Sequence, residues 1–151
     1  CRFIAITGCF QTVYPISPTS RLYHVVAIYN DTQYLGLSGD LFAPPTPANE
    51  PLPRLYGALS ETMQVYSHYG VFSDRLSDFS EVVSVSRGQD LGWQIALHNG
   101  INLQLGRVDI LGRLARARDV LNHLDGEKLA KVQEIDARYN NGVALAWRVA
   151  Q

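Results

Sequence analysis

The sequence predicts an α+β fold in which a largely antiparallel β-sheet is covered on one face by two main helices. Three observations carry this prediction. Two pairs of segments, each folded back at an Asn-Gly dipeptide, alternate in polarity, and two other segments have apolar residues at helical spacing. Hydrophobic residues make up 46% of the 151 residues and charged residues 18%. That composition is typical of a chain with a buried core and excludes a disordered one.

Short extended segments separated by turns make up the first third of the chain. Residues 22–29 are rich in β-branched and aromatic side chains, and residues 33–37 form a second short candidate strand. Turn-forming residues lie at 30–31 and again at 38–40. Residues 43–53 contain five prolines, which can neither continue a helix nor pair within a sheet, so we expect a surface connection there.

Two helices are predicted from apolar residues that recur at intervals of three or four. Asp109 is placed to cap the start of the second helix, and Gly126 is expected to cap its end. The apolar stripe of the first helix is Leu59, Met63, Tyr66, Tyr69 and Leu76. The stripe of the second is Ile110, Leu114, Ala117, Leu121 and Leu124.

Strands of period two surround the second helix. Val83 and Val85 mark one face of a strand, and residues 93–97 and 101–105 form a hairpin around Asn99-Gly100. The chain ends in a second hairpin, with arms at 132–138 and 143–149. In its last arm one face carries Val143, Leu145, Trp147 and Val149, and the other carries Ala144, Ala146 and Arg148.

Composition and charge exclude several classes of function. The formal net charge is −1, so the chain has no basic excess to neutralise phosphates, and we expect no nucleic-acid partner. No window approaches the roughly 20 apolar residues of a membrane helix. The chain begins with Cys1 rather than methionine, and we expect it to be part of a longer product. Cys1 and Cys9 leave two possibilities open, a single bridge or two unpaired thiols.

Catalytic patterns are scarce. The sequence carries no phosphate-binding glycine loop and no metal-ligand spacing, so we predict no cofactor, metal or small-molecule substrate. Glu134 and Asp136 share one face of a strand beside Arg138, and together with His98 they define one alternative, a small enzyme. A solvated strand face at a sheet edge is the other interpretation of the same carboxylates.

The C-terminal strand suggests a different function. A strand at the end of a chain often lies at a sheet edge, where its unpaired backbone groups can accept a strand from another protein. The alanines leave one face of this arm with little side-chain cover. An ordinary terminal strand, with no partner, is the alternative.

Three segments together resemble the FtsQ/DivIB family of bacterial division proteins. Residues 135–147, IDARYNNGVALAW, are similar to the family's terminal signature (V/I)D-x-RY-x-x-G-x-A-(V/L)-x-W. Residues 93–107 and the start of the following helix form the second segment. The third spans 30–57, with Asn-Asp at 30–31, GDLF at 39–42 and LPRLYG at 52–57.

The resemblance implies a non-catalytic scaffold of the division machinery. In such a protein a cytoplasmic tail and a single transmembrane helix precede a POTRA domain and then this β domain, on the periplasmic face of the inner membrane at the septum. Residues 1–29 are expected to be the remnant of the POTRA-type domain, and residues 30–151 the FtsQ-type β domain. A generic POTRA-like chaperone module is a further alternative.

The resemblance also implies partners and site residues. The division protein FtsB, and with it FtsL, is expected to bind by adding a strand to the last strand of the β domain. Tyr139 and Trp147 would be aromatic anchors, Gly142 would shape the turn beside Asn141, and Arg138 would pair with an acidic residue of the partner. A second arginine of the family, just before the position of Trp93, is replaced here by Asp90 and Leu91. The expected partner-binding residues are Arg138, Tyr139, Asn141, Gly142, Val143, Ala144, Leu145, Ala146 and Trp147.

Overall fold

A computed structural model of the protein describes residues 12–15, 22–43 and 52–149. Within them lie ten strands, three α-helices and a 3-10 turn over Leu59–Glu61. The strands are β1 Thr12–Pro15, β2 Leu22–Tyr29, β3 Gln33–Gly36, β4 Leu41–Phe42, β5 Arg54–Tyr56, β6 Val82–Gly88, β7 Gly92–Leu97, β8 Asn102–Gly106, β9 Val132–Asp136 and β10 Ala144–Trp147. The helices are α1 Thr62–Leu76, α2 Ile110–His123 and α3 Gly126–Leu129.

All the described strands belong to one sheet. Its order is β10-β9-β8-β7-β6-β5-β2-β3-β4, with β1 paired to β2 off this path. Three neighbouring pairs, β2·β5, β5·β6 and β8·β9, are parallel, and the others are antiparallel. The α+β class and the largely antiparallel sheet are therefore confirmed, and β2, the last part of the 1–29 segment, is an internal strand of this sheet.

The predicted turns form where the sequence places residues that tolerate a left-handed backbone. Asn30 and Asp31 have φ values of 52° and 65° and join β2 to β3. Gly100 has a φ of 92° and joins β7 to β8, as the Asn-Gly pair indicated. The antiparallel pairs β7·β8 and β9·β10 confirm both hairpins of the second half of the chain, but Gly142, in the second connection, has no left-handed backbone.

The helices and the inward side chains of the strands form the main core, and Val25, Ile28 and Tyr34 form a second, smaller buried cluster. Helix α2 buries Leu114, Ala117 and Leu121, as its periodicity predicted. Trp93, on β7, is 3% exposed and lies edge-on to Phe72 of α1. Over β6 to β9 the opposite face of the sheet carries mostly polar side chains, and the residues of both main helices pack in the main core.

Helix α1 packs on the core through part of the predicted stripe: Leu76 is buried and Tyr66 and Tyr69 pack against the core, but Leu59 and Met63 do not. Its buried residues are Thr62, Val65, Phe72 and Leu76. Leu59 lies in the 3-10 turn and is 65% exposed, because the helix begins only at Thr62. Met63 packs over Gly39 instead of entering the core.

Other local expectations were wrong. Gly126 does not cap α2; it begins the one-turn helix α3, whose N-terminus is capped by the Asp125 side chain accepting from the Lys128 amide at 2.7 Å. Asp109 precedes α2 with a φ of 51° and makes no side-chain cap bond. A register shift in β6 places Val82 and Val85 in the core, whereas the sequence pattern paired Val83 with Val85.

Two further expectations fall outside the described residues. Cys1 and Cys9 lie there, as do residues 44–51 of the proline-rich connection.

Candidate functional site

Strand β10 is the last strand of the sheet on the side of the C-terminal hairpin. It pairs antiparallel with β9 alone in the described sheet, with Ala144 opposite Asp136 and Ala146 opposite Glu134. Its other side faces no strand in the described parts of the chain. The structure therefore puts the predicted partner-binding strand at an open sheet edge.

The backbone of β10 directs alternate groups outward. The Arg148 amide donates to the Lys131 carbonyl across the hairpin at 2.7 Å. Since successive residues of a strand direct their amide and carbonyl groups to opposite sides, we infer that Ala144 and Ala146 bond to β9. The amides and carbonyls of Leu145 and Trp147 then point away from the sheet, where a further strand would bond to them.

A bulge in β9 sets which side chains of the hairpin reach the core. Trp147 pairs with Val132 instead of Gln133, so Val132 and Ile135 are both buried. Leu145, opposite Ile135, packs against the core. Exposure therefore increases along the apolar face predicted for this arm. Leu145 is half-buried, Trp147 is 47% exposed and Val149 is 83% exposed.

The segment that leads into β10 is open to solvent. Tyr139 is 54% exposed, and with residues 141–144 it lines a shallow depression of about 350 Å³. The Gly142 carbonyl accepts from the Arg116 guanidinium of α2 at 3.3 Å, which ties the segment to the helix. Gly142 has no left-handed backbone, and a Cβ there would meet nothing within 4 Å. The isolated domain therefore does not need glycine at this position for its own turn.

Arg138 is paired within the chain. Its Nε donates to Asp136 Oδ1 at 2.8 Å and its terminal Nη2 to Oδ2 at 2.6 Å, a bidentate pair. The Arg138 guanidinium, through these hydrogen bonds, holds the pKa of Asp136 below its usual value. A partner carboxylate at Arg138 would have to share the guanidinium with Asp136, which the sequence did not indicate.

The structure does not gather the residues of the enzyme alternative into one cavity. Glu134 lies on the polar face of the sheet, in a depression that contains neither Asp136 nor His98. His98, at the β7–β8 turn, lines a separate depression with Arg148. In the described ranges no group of three or more His, Cys, Asp or Glu side chains could hold a metal ion.

Arg87 is a second arginine that is already paired within the chain. Arg87 pairs with Glu61, donates to Gln64 at 3.0 Å and lies 5.5 Å from the Trp93 ring centroid. It lines a depression of about 470 Å³ at one end of the sheet. The imidazole ring of His68 stacks on the Trp93 ring, and the two ring centroids are 4.1 Å apart. These contacts serve to cover the core, and the spacing of the sequence did not reveal them.

Comparisons with known proteins identify the family of the chain. The chain matches the family described as Cell division protein FtsQ/DivIB, C-terminal, over residues 25–138. It is 31% identical to Cell division protein FtsQ of Escherichia coli strain K12 over 138 residues, which cover 83% of this chain and 48% of that protein. Identity to the protein of the same name in Thioalkalivibrio sp. strain K90mix is 34% over 127 residues, covering 81% and 52%.

A third relative covers more of the sequence. Cell division protein FtsQ of Actinobacillus pleuropneumoniae serotype 3 is 29% identical over 145 residues, which cover 91% of this chain and 62% of that protein. The chain spans about half the length of most of the curated relatives it matches. None of the helices in the described segments has the length and apolarity to cross a membrane. The match over residues 25–138 and the identities of about 30% show that the chain belongs to the FtsQ/DivIB family of cell division proteins.

Proposed function

We propose that this domain is a non-catalytic scaffold of the division machinery that binds FtsB, and with it FtsL, by strand addition to β10. Family membership supports a role in cell division. The open side of β10 is the single observation that carries the mode of binding. Main-chain hydrogen bonds would supply affinity, and the flanking side chains would supply specificity.

The exposed aromatic residues support this mode. Tyr139 and Trp147 lie at the two ends of the segment that a partner strand would follow, and each has about half of its surface open. Large aromatic side chains of this kind dominate the binding energy of many interfaces. The open space above Gly142 would let a partner backbone approach closely, next to Asn141.

The expected affinity is moderate. Four or five added backbone hydrogen bonds contribute about 0.5–1.5 kcal/mol each. Ordering a flexible partner segment offsets a good part of this gain and of the aromatic contribution. Binding near the micromolar range, about −8 kcal/mol, is the reasonable expectation.

The location of the domain is part of the same proposal. We place it on the periplasmic face of the inner membrane at the septum, in a parent protein anchored by a helix outside this sequence. The assignment of residues 1–29 to a POTRA-type domain stays a prediction. Strand β2 nevertheless shares the sheet with β3 and β5.

Strand addition can be tested with a peptide from the extracytoplasmic part of FtsB in the same bacterium. Successive peptides carry one N-methylated residue each, which removes one amide donor and leaves the side chain in place. Because only alternate residues of an added strand bond to β10, affinity is expected to fall at every second position. Loss with a period of two over at least four residues supports the proposal.

Two results would contradict it. Loss at nearly every position beyond the first turn would indicate a bound helix, in which each amide donates to a carbonyl of the peptide itself. Absence of binding at peptide concentrations a hundred times the expected Kd would overturn the assignment of FtsB as partner of this edge.

A further inference from the structure

The polar face of the sheet carries a directed chain of side-chain hydrogen bonds that ends beside the open edge. Gln94 donates its amide to Gln104 Oε1 at 2.8 Å, and Gln104 donates to Glu134 Oε1 at 3.1 Å. The three side chains lie on β7, β8 and β9, in that order toward β10. The chain therefore crosses the sheet and stops one strand short of its edge.

The carboxylate sets the direction of this chain. An ionised Glu134 can only accept, so Gln104 must present its NH₂ group to Glu134 and its carbonyl to Gln94. Every donor consequently points toward the edge, and each bond polarises the next. The chain ends on an anionic acceptor, and a group that continues it must be a donor.

The neighbour of Glu134 on β10 leaves this acceptor accessible. Ala146 lies directly opposite Glu134 and is exposed, and its methyl group gives almost no cover. Among the described residues Gln104 is the one hydrogen-bond donor to the Glu134 carboxylate. A carboxylate has about four acceptor positions, and the described residues take one of them.

The other carboxylate on this face provides a contrast. Asp136 lies opposite Ala144, the second exposed alanine of β10. Its two oxygens are already bound by Arg138 in a bidentate pair. Of the two alanine positions on the edge, only Ala146 therefore adjoins a carboxylate that forms no salt bridge in the described residues; the Arg138 guanidinium acts on Glu134 only as a more distant charge.

We propose that the partner strand carries a lysine or arginine at the position facing Ala146, and that this side chain crosses the alanine to pair with Glu134. The inference rests on strand addition to β10 and names the side chain that the edge selects. The partner strand would lie two strand spacings, about 9.6 Å, from β9. Only the long stems of lysine and arginine cover that distance while keeping the charged group near the carboxylate.

Charge variants of the domain test the inference with the FtsB-derived peptide. Glu134→Gln keeps the acceptor for Gln104 and removes the charge, and we expect it to weaken binding about three- to fivefold, as for a partly exposed ion pair. Glu134→Lys is expected to weaken binding at least tenfold. Glu127→Lys is the matched control, because it makes the same charge change on α3 at a side chain that is 84% exposed. It should change the affinity less than twofold.

A second set of peptides identifies the cation. Each lysine or arginine of the peptide is replaced in turn by norleucine, and the affinity is measured with Glu134 and with Glu134→Gln. One norleucine peptide should bind the wild-type domain and Glu134→Gln with equal affinity. That peptide lacks the cation that pairs with Glu134, so the charge of Glu134 no longer affects its binding.

The outcomes separate this inference from the proposed function. Suppose that the unmodified peptide binds and that the N-methylated series loses affinity with a period of two. If Glu134→Lys then has the same affinity as Glu127→Lys, or binds more tightly, the proposed cationic position is wrong and strand addition stands. If no norleucine peptide abolishes the effect of Glu134→Gln, the ion pair is likewise overturned. If the unmodified peptide does not bind, both proposals fail.

Discussion

Trp147 is the residue whose replacement should most weaken partner binding. Its side chain is 47% exposed at the end of β10. A tryptophan has up to about 250 Å² to bury, so about 120 Å² remains to be covered by a partner. At about 25 cal/mol per Å², complete coverage contributes about 3 kcal/mol and coverage of two thirds about 2 kcal/mol. Trp147→Ala should therefore raise the Kd for the FtsB-derived peptide about thirtyfold.

Titration calorimetry of the two domains measures this difference directly. Leu59→Ala is the matched control: Leu59 is an apolar residue with 65% exposure in the 3-10 turn, outside the strands of the sheet. It should leave the Kd unchanged. Trp147→Phe should fall between wild type and alanine, since phenylalanine offers less area to the partner.

The variant must also remain folded for the comparison to hold. About half of Trp147 is buried against the end of the hairpin, so the alanine substitution will lower the free energy of unfolding as well. Urea unfolding of each variant gives the folded fraction at the titration temperature. Equal affinities of folded Trp147→Ala and wild type would refute the role of Trp147 as an anchor.

Four further substitutions have defined outcomes. Asp136→Asn should lower the free energy of unfolding near neutral pH. Because folding lowers the pKa of Asp136 below 3.8, the difference from wild type in urea unfolding should shrink as the pH falls below 3.8 and disappear only below the lowered pKa of the folded state. A pH-independent difference would contradict the ion pair. Gly92 has a φ of 74°, and a Cβ there would overlap the Gly106 carbonyl, so Gly92→Ala should lower the free energy of unfolding by at least about 2 kcal/mol. Gly70 lies on α1 with open space around it, so Gly70→Ala should raise the free energy of unfolding by about 0.5–1 kcal/mol. Equal effects of the two alanines in urea unfolding would refute this. Arg116→Ala should weaken peptide binding a few-fold in calorimetry by releasing the Gly142 carbonyl, with melting little changed; an unchanged Kd would remove Arg116 from the support of the site.

Local signals were sufficient to predict the hairpins and the second helix. The β7–β8 turn requires a left-handed backbone that glycine adopts readily, and Gly100 of the Asn-Gly pair supplies it. The apolar stripe of α2 repeats over the full length of the helix. The first helix was located correctly and three residues of its predicted stripe, Tyr66, Tyr69 and Leu76, pack on the core, but the exposed Leu59 and Met63 were wrongly included. Only the packing of Val65 and Phe72 against the sheet distinguishes the two faces.

Long-range features could not be predicted in the same way. The parallel pairing of β8 with β9 depends on how α2 crosses the sheet, and periodicity carries no information on strand order. The bulge in β9 changes which residues of the last hairpin are buried, and so grades the exposure of Trp147. The Arg138–Asp136 pair and the chain from Gln94 to Glu134 arise from neighbours in space, which single residue types do not reveal.

The position of β10 was the point on which the functional interpretation depended. A strand enclosed by two neighbours would have left no backbone groups for a partner, and the structure shows a strand with one neighbour in the described sheet. The resemblance added the identity of the expected partner.

Amide hydrogen exchange at single residues tests the vacant edge most directly. In the isolated domain the amides of Leu145 and Trp147 should exchange rapidly, while those of Ala144 and Ala146, bonded to β9, should exchange slowly. Saturation with the FtsB-derived peptide should slow Leu145 and Trp147 by at least tenfold and leave the alanines nearly unchanged. Protection of Leu145 and Trp147 before the peptide is added, or rapid exchange that persists at saturation, would contradict strand addition at β10.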